Sequence, residues 1–144
     1  MSNDATSTNP AIDTPDTSEH RVDLPAGRTL AVSETGAPAG PAVLLLHPAP
    51  GSRLLDPDPA TTAAAGVRLI GVDRAGYGAT TALPDGAVPT ITGYADDAAA
   101  ALAALGVDEV AVVGWSAGGR VALALAARRP DLVRAAAVVA TPAP

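Results

Sequence analysis

The residues with the clearest capacity for chemistry are Gly114-Trp115-Ser116-Ala117-Gly118, a G-x-S-x-G pattern with a serine at its centre. The apolar run EVAVVGW precedes the serine and the Ala/Leu-rich stretch AGGRVALALAARR follows it, so the pattern predicts a strand–turn–helix elbow. Such a turn strains the serine backbone and needs small residues two positions before and after it. The N–H groups that begin the helix can stabilise a developing oxyanion. Ser116 is therefore the candidate nucleophile.

Two other interpretations of this turn are an incidental serine and a nucleotide-binding loop. A dinucleotide-binding fingerprint needs glycine where Ser116 stands and an acid near the end of the next strand, which ends here in Ala140-Thr141. A Walker loop needs Gly-Lys-Ser or Gly-Lys-Thr, and the chain has no such triplet. The strand before Ser116 and the helix after it favour the elbow over an incidental serine in a glycine-rich turn.

Two further motifs follow apolar runs upstream of the elbow: HPAPGS, which begins at His47, and DRAGYG, which begins at Asp73. With the elbow, in this order and spacing, they make residues from about 20 to 141 resemble the α/β-hydrolase fold family. The resemblance implies that the N–H groups of Ala117 and Ala49 form an oxyanion hole. Pro48 stands where the family usually has glycine, and proline has no N–H and a fixed φ.

The resemblance also indicates which reaction Ser116 would perform. A serine at the elbow favours hydrolysis of an ester, lactone, thioester or amide bond of a small-molecule acyl substrate, through an acyl-serine. A haloalkane dehalogenase or an epoxide hydrolase would carry aspartate at this position. Neither a cofactor nor a metal is implied.

The family places its catalytic acid, and then its histidine, after the serine along the chain. After Ser116 this sequence contains one acid, Asp131, and no histidine. We therefore expect the N-terminal part of a longer hydrolase or a truncated product, with no activity of these 144 residues alone. The competing interpretation is a non-catalytic, hydrolase-like module that binds a small molecule or a partner.

The other polar candidates are expected to have structural roles. We expect His47 to organise the loop after its strand rather than to act as a base, and Asp73 to accept hydrogen bonds that fix a loop. We expect His20 to be exposed. Four further acids either lack a metal-ligand pattern around them or lie on an expected solvated helix face: Asp56, Asp58, Asp96 and Asp97.

The elements that must position these residues alternate along the chain. HRVDLP and RTLAVSETG predict a hairpin, and PAVLLLHP, VRLIGVD, EVAVVGWS and VRAAAVVAT predict four buried strands. Helices are predicted near 59–65, from a cap at Thr92 to a stop at Gly106 with Asp96 and Asp97 in the first turns, and over AGGRVALALAARR. This order predicts an α/β fold: an N-terminal β-hairpin, then a mostly parallel sheet with flanking helices, an incomplete α/β-hydrolase fold without its C-terminal strands.

Composition and charge exclude several function classes. A net charge of −6 disfavours a nucleic-acid binder, which needs a basic surface, and the absence of cysteine excludes disulfides and a thiol nucleophile. No apolar run approaches the roughly 20 residues of a membrane span, and the N-terminus lacks a signal-peptide pattern, so a cytoplasmic location is the default expectation. Residues 1–18 are predicted to be a disordered polar tail before a partial hydrolase domain over 19–144.

Overall fold

A mixed sheet of six strands carries the three α-helices of the described chain. The structure is a computed structural model that describes residues 17–142. The strands are β1 (Ser18–Asp23), β2 (Thr29–Gly36), β3 (Ala42–Leu46), β4 (Arg68–Val72), β5 (Val110–Trp115) and β6 (Val133–Val139). The helices are α1 (Pro59–Ala65), α2 (Ile91–Ala104) and α3 (Ala117–Arg128), and a 3-10 turn (Pro25–Gly27) joins the first two strands.

The N-terminal hairpin and the parallel centre are both present, as the sequence predicted. In the sheet the strands follow the order β1-β2-β4-β3-β5-β6. β1 pairs antiparallel with β2, which pairs antiparallel with β4, whereas β3 pairs in parallel with both β4 and β5. The carboxyl ends of β3, β4 and β5 therefore meet at one edge of the sheet, where ligand sites of open α/β sheets form.

The core is built from small and aliphatic side chains. Leu44, Ile70 and Val112 of the strands form one cluster with Ala98 of α2 and Leu125 of α3, and each is at most 1% exposed. The sequence has no phenylalanine to bridge wide gaps between layers. Close-packed alanine, valine and leucine therefore hold the two helices to the sheet.

Helix α2 begins two residues earlier than the sequence predicted. Its cap is Thr90 rather than Thr92, because Thr90 has an extended backbone and its Oγ1 accepts a hydrogen bond from the Gly93 N–H at 3.0 Å. Asp96 and Asp97 consequently lie beyond the first turn and do not interact with the helix N-terminus. The predicted stop is confirmed: Gly106 has a φ of 66°, and its N–H bonds the Ala103 carbonyl at 3.1 Å.

The expected solvated face of α2 holds only for Asp96. That carboxylate is exposed and pairs with Arg128 at 2.9 Å. The Asp97 carboxylate instead receives both Arg28 guanidinium nitrogens, at 2.6 and 3.0 Å, and the two side chains are 13% and 14% exposed. This pair also raises the pKa of Arg28 through its hydrogen bond. Asp97 therefore ties α2 to the N-terminal hairpin.

Strand β6 forms where it was predicted, but its burial was predicted wrongly. It pairs in parallel with β5, and most of its side chains are exposed, including Val138 at 45% and Val139 at 49%. Within residues 17–142, β5 is its only strand partner, so one edge of β6 and much of its surface remain open. An apolar composition alone does not bury a strand that has one neighbour.

The predicted tail lies almost wholly outside the described residues, since 1–16 are not described and β1 begins at Ser18. Along the described part of the chain, no helix has both the length and the apolarity that crossing a membrane requires.

Candidate active site

Ser116 occupies the elbow between β5 and α3 in an unusual backbone conformation. Its φ is 52° and its ψ is −115°, a region that L-residues seldom adopt and that costs about 1–3 kcal/mol. Three hydrogen bonds hold this backbone: the Ser116 N–H donates to the Val139 carbonyl at 2.8 Å, and the Ser116 carbonyl accepts from the Gly119 N–H at 3.0 Å and from Thr141 Oγ1 at 3.1 Å. The predicted strand–turn–helix geometry is therefore present.

The glycines of the elbow allow three backbones to meet. A Cβ on Gly118 would overlap the Leu46 carbonyl oxygen at the end of β3, and one on Gly114 would lie 2.5 Å from the Gly118 carbonyl oxygen. A Cβ on Gly119 would overlap the Thr141 side chain. The start of α3 can pack directly against the ends of β3 and β6 only because these positions lack side chains.

The two predicted oxyanion donors belong to segments that the sheet brings together. Leu46, the last residue of β3, pairs with Gly114 of β5, so the loop after β3 and the elbow after β5 start side by side. Gly118 lies against the carbonyl oxygens of Leu46 and His47. Ala49 is in the first of these segments and Ala117 in the second. The topology therefore brings the two segments together, and the oxyanion role of the two N–H groups stays a prediction.

His47 organises the loop after β3, in agreement with the role expected for it. It is 2% exposed, and its Nδ1 lies 2.7 Å from the Pro48 carbonyl oxygen. A carbonyl can only accept, so Nδ1 carries the proton and donates. Arg74 donates to the same Pro48 oxygen at 2.7 Å and to the His47 carbonyl oxygen at 3.3 Å. His47 and Arg74 thus hold the first residues of this loop.

Asp73 fixes the other end of the same loop. It is 1% exposed, and its two carboxylate oxygens accept from the Arg53 N–H and from Arg53 Nη1, both at 2.7 Å. Ser33 Oγ donates to the Arg53 carbonyl oxygen at 2.7 Å. Asp73 is therefore the predicted loop-fixing acceptor. The consecutive residues Asp73 and Arg74 bind opposite ends of segment 47–53: Asp73 binds Arg53, and Arg74 binds the carbonyls of residues 47 and 48.

Burial gives His47 a predictable effect on stability. Removal from water, first, and then the nearby Arg74 cation lower the pKa of His47 below its ordinary value of 6.5. Between that value and the lower folded pKa, the unfolded chain binds a proton that the folded chain does not. We therefore expect the free energy of unfolding to fall as the pH drops below 6.5, by at most about 1.4 kcal/mol per pH unit from this group.

This expectation is tested by urea unfolding at pH 7.5, 6.5, 5.5 and 5.0 (about the range in which histidine titrates). His47→Asn keeps a donor near the Nδ1 position but cannot titrate, so its stability should depend less on pH. An equal pH dependence of the two proteins would contradict the assignment.

A small pocket of about 20 Å³ lies at the same edge of the sheet. Its lining includes Leu46, His47, Tyr94 and Gly118 but not Ser116, so the pocket alone does not mark the candidate nucleophile. Trp115 is 37% exposed and also lies outside this lining. No cluster of three or more potential metal ligands occurs among residues 17–142.

Comparison with known proteins assigns the fold to a family. The sequence model of the family described as alpha/beta hydrolase fold matches residues 41–144. The chain belongs to the α/β-hydrolase fold family. No match was found among curated proteins.

Solved structures of other α/β-hydrolases superpose on most of this chain. A carboxylesterase structure from the thaumarchaeon Nitrososphaera gargenis has a TM-score of 0.76 at 22% identity and covers 85% of this chain and 46% of its own. A membrane phospholipase A described as a bacterial virulence factor has a TM-score of 0.74 at 26% identity, with coverages of 88% and 40%. An epoxide hydrolase from an endophytic Streptomyces has a TM-score of 0.66 at 33% identity, with coverages of 85% and 36%. The chain thus spans less than half the length of each of these α/β-hydrolases.

Three partners in this site were not assigned roles from the sequence. Arg74 belongs to the DRAGYG motif, but nothing in the motif shows that its guanidinium reaches the loop after β3. Arg53 lies in a proline-rich loop, and Thr141 follows β6. Their contacts connect residues 20 to 27 positions apart, which local patterns do not reveal.

Proposed function

We propose that this chain carries the nucleophile and the oxyanion donors of a serine hydrolase that cleaves ester, lactone, thioester or amide bonds. The observation that carries the proposal is the conformation of Ser116: a positive φ at the residue that precedes α3, beside the loop that follows β3. A serine at the N-terminus of a helix, where backbone N–H groups converge, supports the proposed nucleophile and oxyanion donors.

In the proposed reaction, Ser116 Oγ attacks the carbonyl carbon while a base removes its proton. The negative oxygen of the tetrahedral intermediate accepts hydrogen bonds from the Ala117 and Ala49 N–H groups. The intermediate expels the alcohol, thiol or amine, which takes up the proton. Water then attacks the carbonyl carbon of the acyl-serine while the base removes its proton. The second tetrahedral intermediate expels Ser116 Oγ, which takes up that proton, and the carboxylic acid is released.

The identity of the residue at the elbow favours ester over epoxide chemistry. The superposed structures include a phospholipase and an epoxide hydrolase, so fold similarity does not choose between the two bonds. Resemblance to the family implies aspartate at the elbow of an epoxide hydrolase, and this chain has Ser116. The side chain at the elbow therefore supports acyl transfer.

Neither a triad acid nor a triad base is found near Ser116 among the residues that follow it. Asp131, the only acid after Ser116, pairs with Arg129 at 2.8 Å and is 65% exposed. It lies beyond the far end of the 12-residue helix α3, about 18 Å from the elbow at 1.5 Å per residue. We therefore propose that Asp131 does not serve Ser116 as a triad acid.

A second candidate function is a hydrolase-like module that binds without catalysis. It is favoured by the same lack of a base and by Pro48 in place of the family's usual glycine. In that case Ser116 would keep its strained backbone but would not be activated as a nucleophile.

Labelling with a fluorophosphonate distinguishes the two functions. We expect intact-mass measurements to show one phosphonyl group on Ser116, added slowly because no base activates the serine. Added imidazole should supply that base and raise the rate at least about tenfold, part of the 10²–10⁴ that a positioned base contributes.

The controls are Ser116→Ala, which should not be labelled, and Ser18→Ala on the exposed strand β1, which should behave as the parent chain. Absence of label from folded protein, with and without imidazole, would overturn the hydrolase proposal and favour the binding module.

A further inference from the structure

We infer that Arg74 and His47 are positioning residues that aim the Ala49 N–H at the oxyanion, by holding the carbonyl group of the same peptide unit. This inference rests on the proposed function for the role of Ala49. It goes beyond that function by identifying which side chains set the direction of the donor.

One peptide unit contains both the Pro48 carbonyl and the Ala49 N–H. The Pro48 carbonyl and the Ala49 N–H share the planar peptide bond between these residues, which is trans, whereas the following Ala49–Pro50 bond is cis. In a trans peptide the C=O and the N–H point in opposite directions. Whatever fixes the Pro48 carbonyl therefore fixes the direction of the Ala49 N–H.

Two donors hold the Pro48 carbonyl. Arg74 Nη2 and His47 Nδ1 each lie 2.7 Å from the Pro48 oxygen. Arg74 Nη2 is also 3.2 Å from His47 Nδ1. Because the Nδ1 proton is directed to the carbonyl, that third distance is a close approach and not a hydrogen bond. The Ala49 N–H consequently points away from both side chains.

The side chains of Arg74 and His47 are themselves held in place. The Arg74 guanidinium carbon lies 5.0 Å from the centre of the Tyr77 ring, and its Nη1 donates to the His47 carbonyl. Gly51 leaves the space that the His47–Pro48 hydrogen bond occupies: a Cβ there would lie 2.6 Å from the Pro48 oxygen and 2.7 Å from His47 Nδ1. These contacts hold both donors close to the Pro48 carbonyl.

This arrangement also accounts for proline at position 48. Arg74 and His47 both bind the carbonyl oxygen of Pro48. The missing N–H of Pro48 therefore removes none of these hydrogen bonds. The fixed φ of proline further limits rotation just before the aimed N–H. The departure from the family's glycine is thus compatible with a directed donor at Ala49.

The test measures the direction of the Ala49 N–H in the full chain, labelled with ¹⁵N and ¹³C and weakly aligned. In Arg74→Met, we expect the residual dipolar coupling of the Ala49 N–H to change and the Pro48 carbonyl ¹³C resonance to move upfield. The Ala117 coupling should stay the same. Arg74→Lys, which retains one donor, should give values nearer the parent chain.

Arg128→Met is the matched control, because it removes an arginine that pairs with Asp96 at the surface. It should leave the Ala49 coupling unchanged. His47→Leu, compared with His47→Asn, repeats the test from the other donor if Arg74→Met does not fold. An unchanged Ala49 coupling in folded Arg74→Met or His47→Leu would overturn the inference.

Fluorophosphonate labelling with imidazole adds a functional measurement. If the parent chain is labelled, Arg74→Met should slow labelling by about 10- to 100-fold, because a misdirected oxyanion donor loses much of its effect. Slower labelling with an unchanged Ala49 coupling would also overturn the inference. If the parent chain is not labelled, the proposed function fails, and the coupling alone still decides whether Arg74 and His47 aim this peptide.

Discussion

Replacing Asp73 with alanine is expected to lower the free energy of unfolding by about 3–5 kcal/mol, the usual cost of removing one partner from a buried ion pair. The Asp73 side chain is fully buried, and the Arg53 side chain is 12% exposed. Without the carboxylate, both the Arg53 N–H and Nη1 lose their acceptor in a site that water barely reaches. The midpoint of urea unfolding, together with its slope, measures the loss.

Two variants show whether this cost comes from the buried pair. Asp73→Asn retains an oxygen that can accept from the Arg53 N–H and should cost less than Asp73→Ala. Glu19→Gln removes the other carboxylate that contacts Arg53, at 2.8 Å, but Glu19 is 58% exposed and its loss should cost under about 1 kcal/mol. Equal losses of the free energy of unfolding in Asp73→Ala and Glu19→Gln would show that the buried pair stabilises the fold no more than the exposed one.

Replacing Gly118 with alanine should destabilise the chain by about 1–3 kcal/mol, the range of an overpacked core. The sign is informative, because in an ordinary helix the same change stabilises by about 0.5–1 kcal/mol. Here the new methyl group would overlap the Leu46 carbonyl oxygen, and backbone cannot move aside as a flexible side chain can. The start of α3 must then shift away from β3 and carry Ser116 and Ala117 with it.

We therefore expect Gly118→Ala to slow imidazole-assisted labelling of Ser116 as well, by about 100-fold for a displacement near 1 Å. Ala127→Ser is the control, since it adds one atom at an exposed position near the other end of α3. It should change neither stability nor labelling. A Gly118→Ala chain that is more stable than its parent would contradict the close approach of α3 and β3.

The sequence predicted what depends on local patterns. The elbow at Ser116 is one such case, because the glycines, the preceding strand and the following helix are all within a few positions of the serine. The parallel centre of the sheet also follows from the alternation of apolar runs and helices, since parallel neighbours need crossovers. The roles expected of His47 and Asp73 were confirmed because each directly follows a strand that ends at the same edge.

The sequence could not predict what depends on distant partners. Asp97 resembles any acid on a helix surface, and only the fold brings Arg28, 69 positions away, against it. The apolar composition of β6 suggested burial. Burial, however, depends on which strands and helices pack against β6, and the sequence of the strand does not specify them. Likewise, the contact of Arg74 with the Pro48 carbonyl is visible only in the folded structure.

The hydrogen bonds between the elbow and β6 make the candidate nucleophile depend on the outer part of the sheet. The Ser116 N–H ends on the Val139 carbonyl, and the Ser116 carbonyl receives the Thr141 hydroxyl. If this strand detached, Ser116 would lose two of the three bonds that hold its strained backbone, and the strain would favour relaxation to an ordinary turn. The shape of the elbow can thus be no more durable than the attachment of β6, and any segment that secures β6 would also preserve the strained conformation of Ser116.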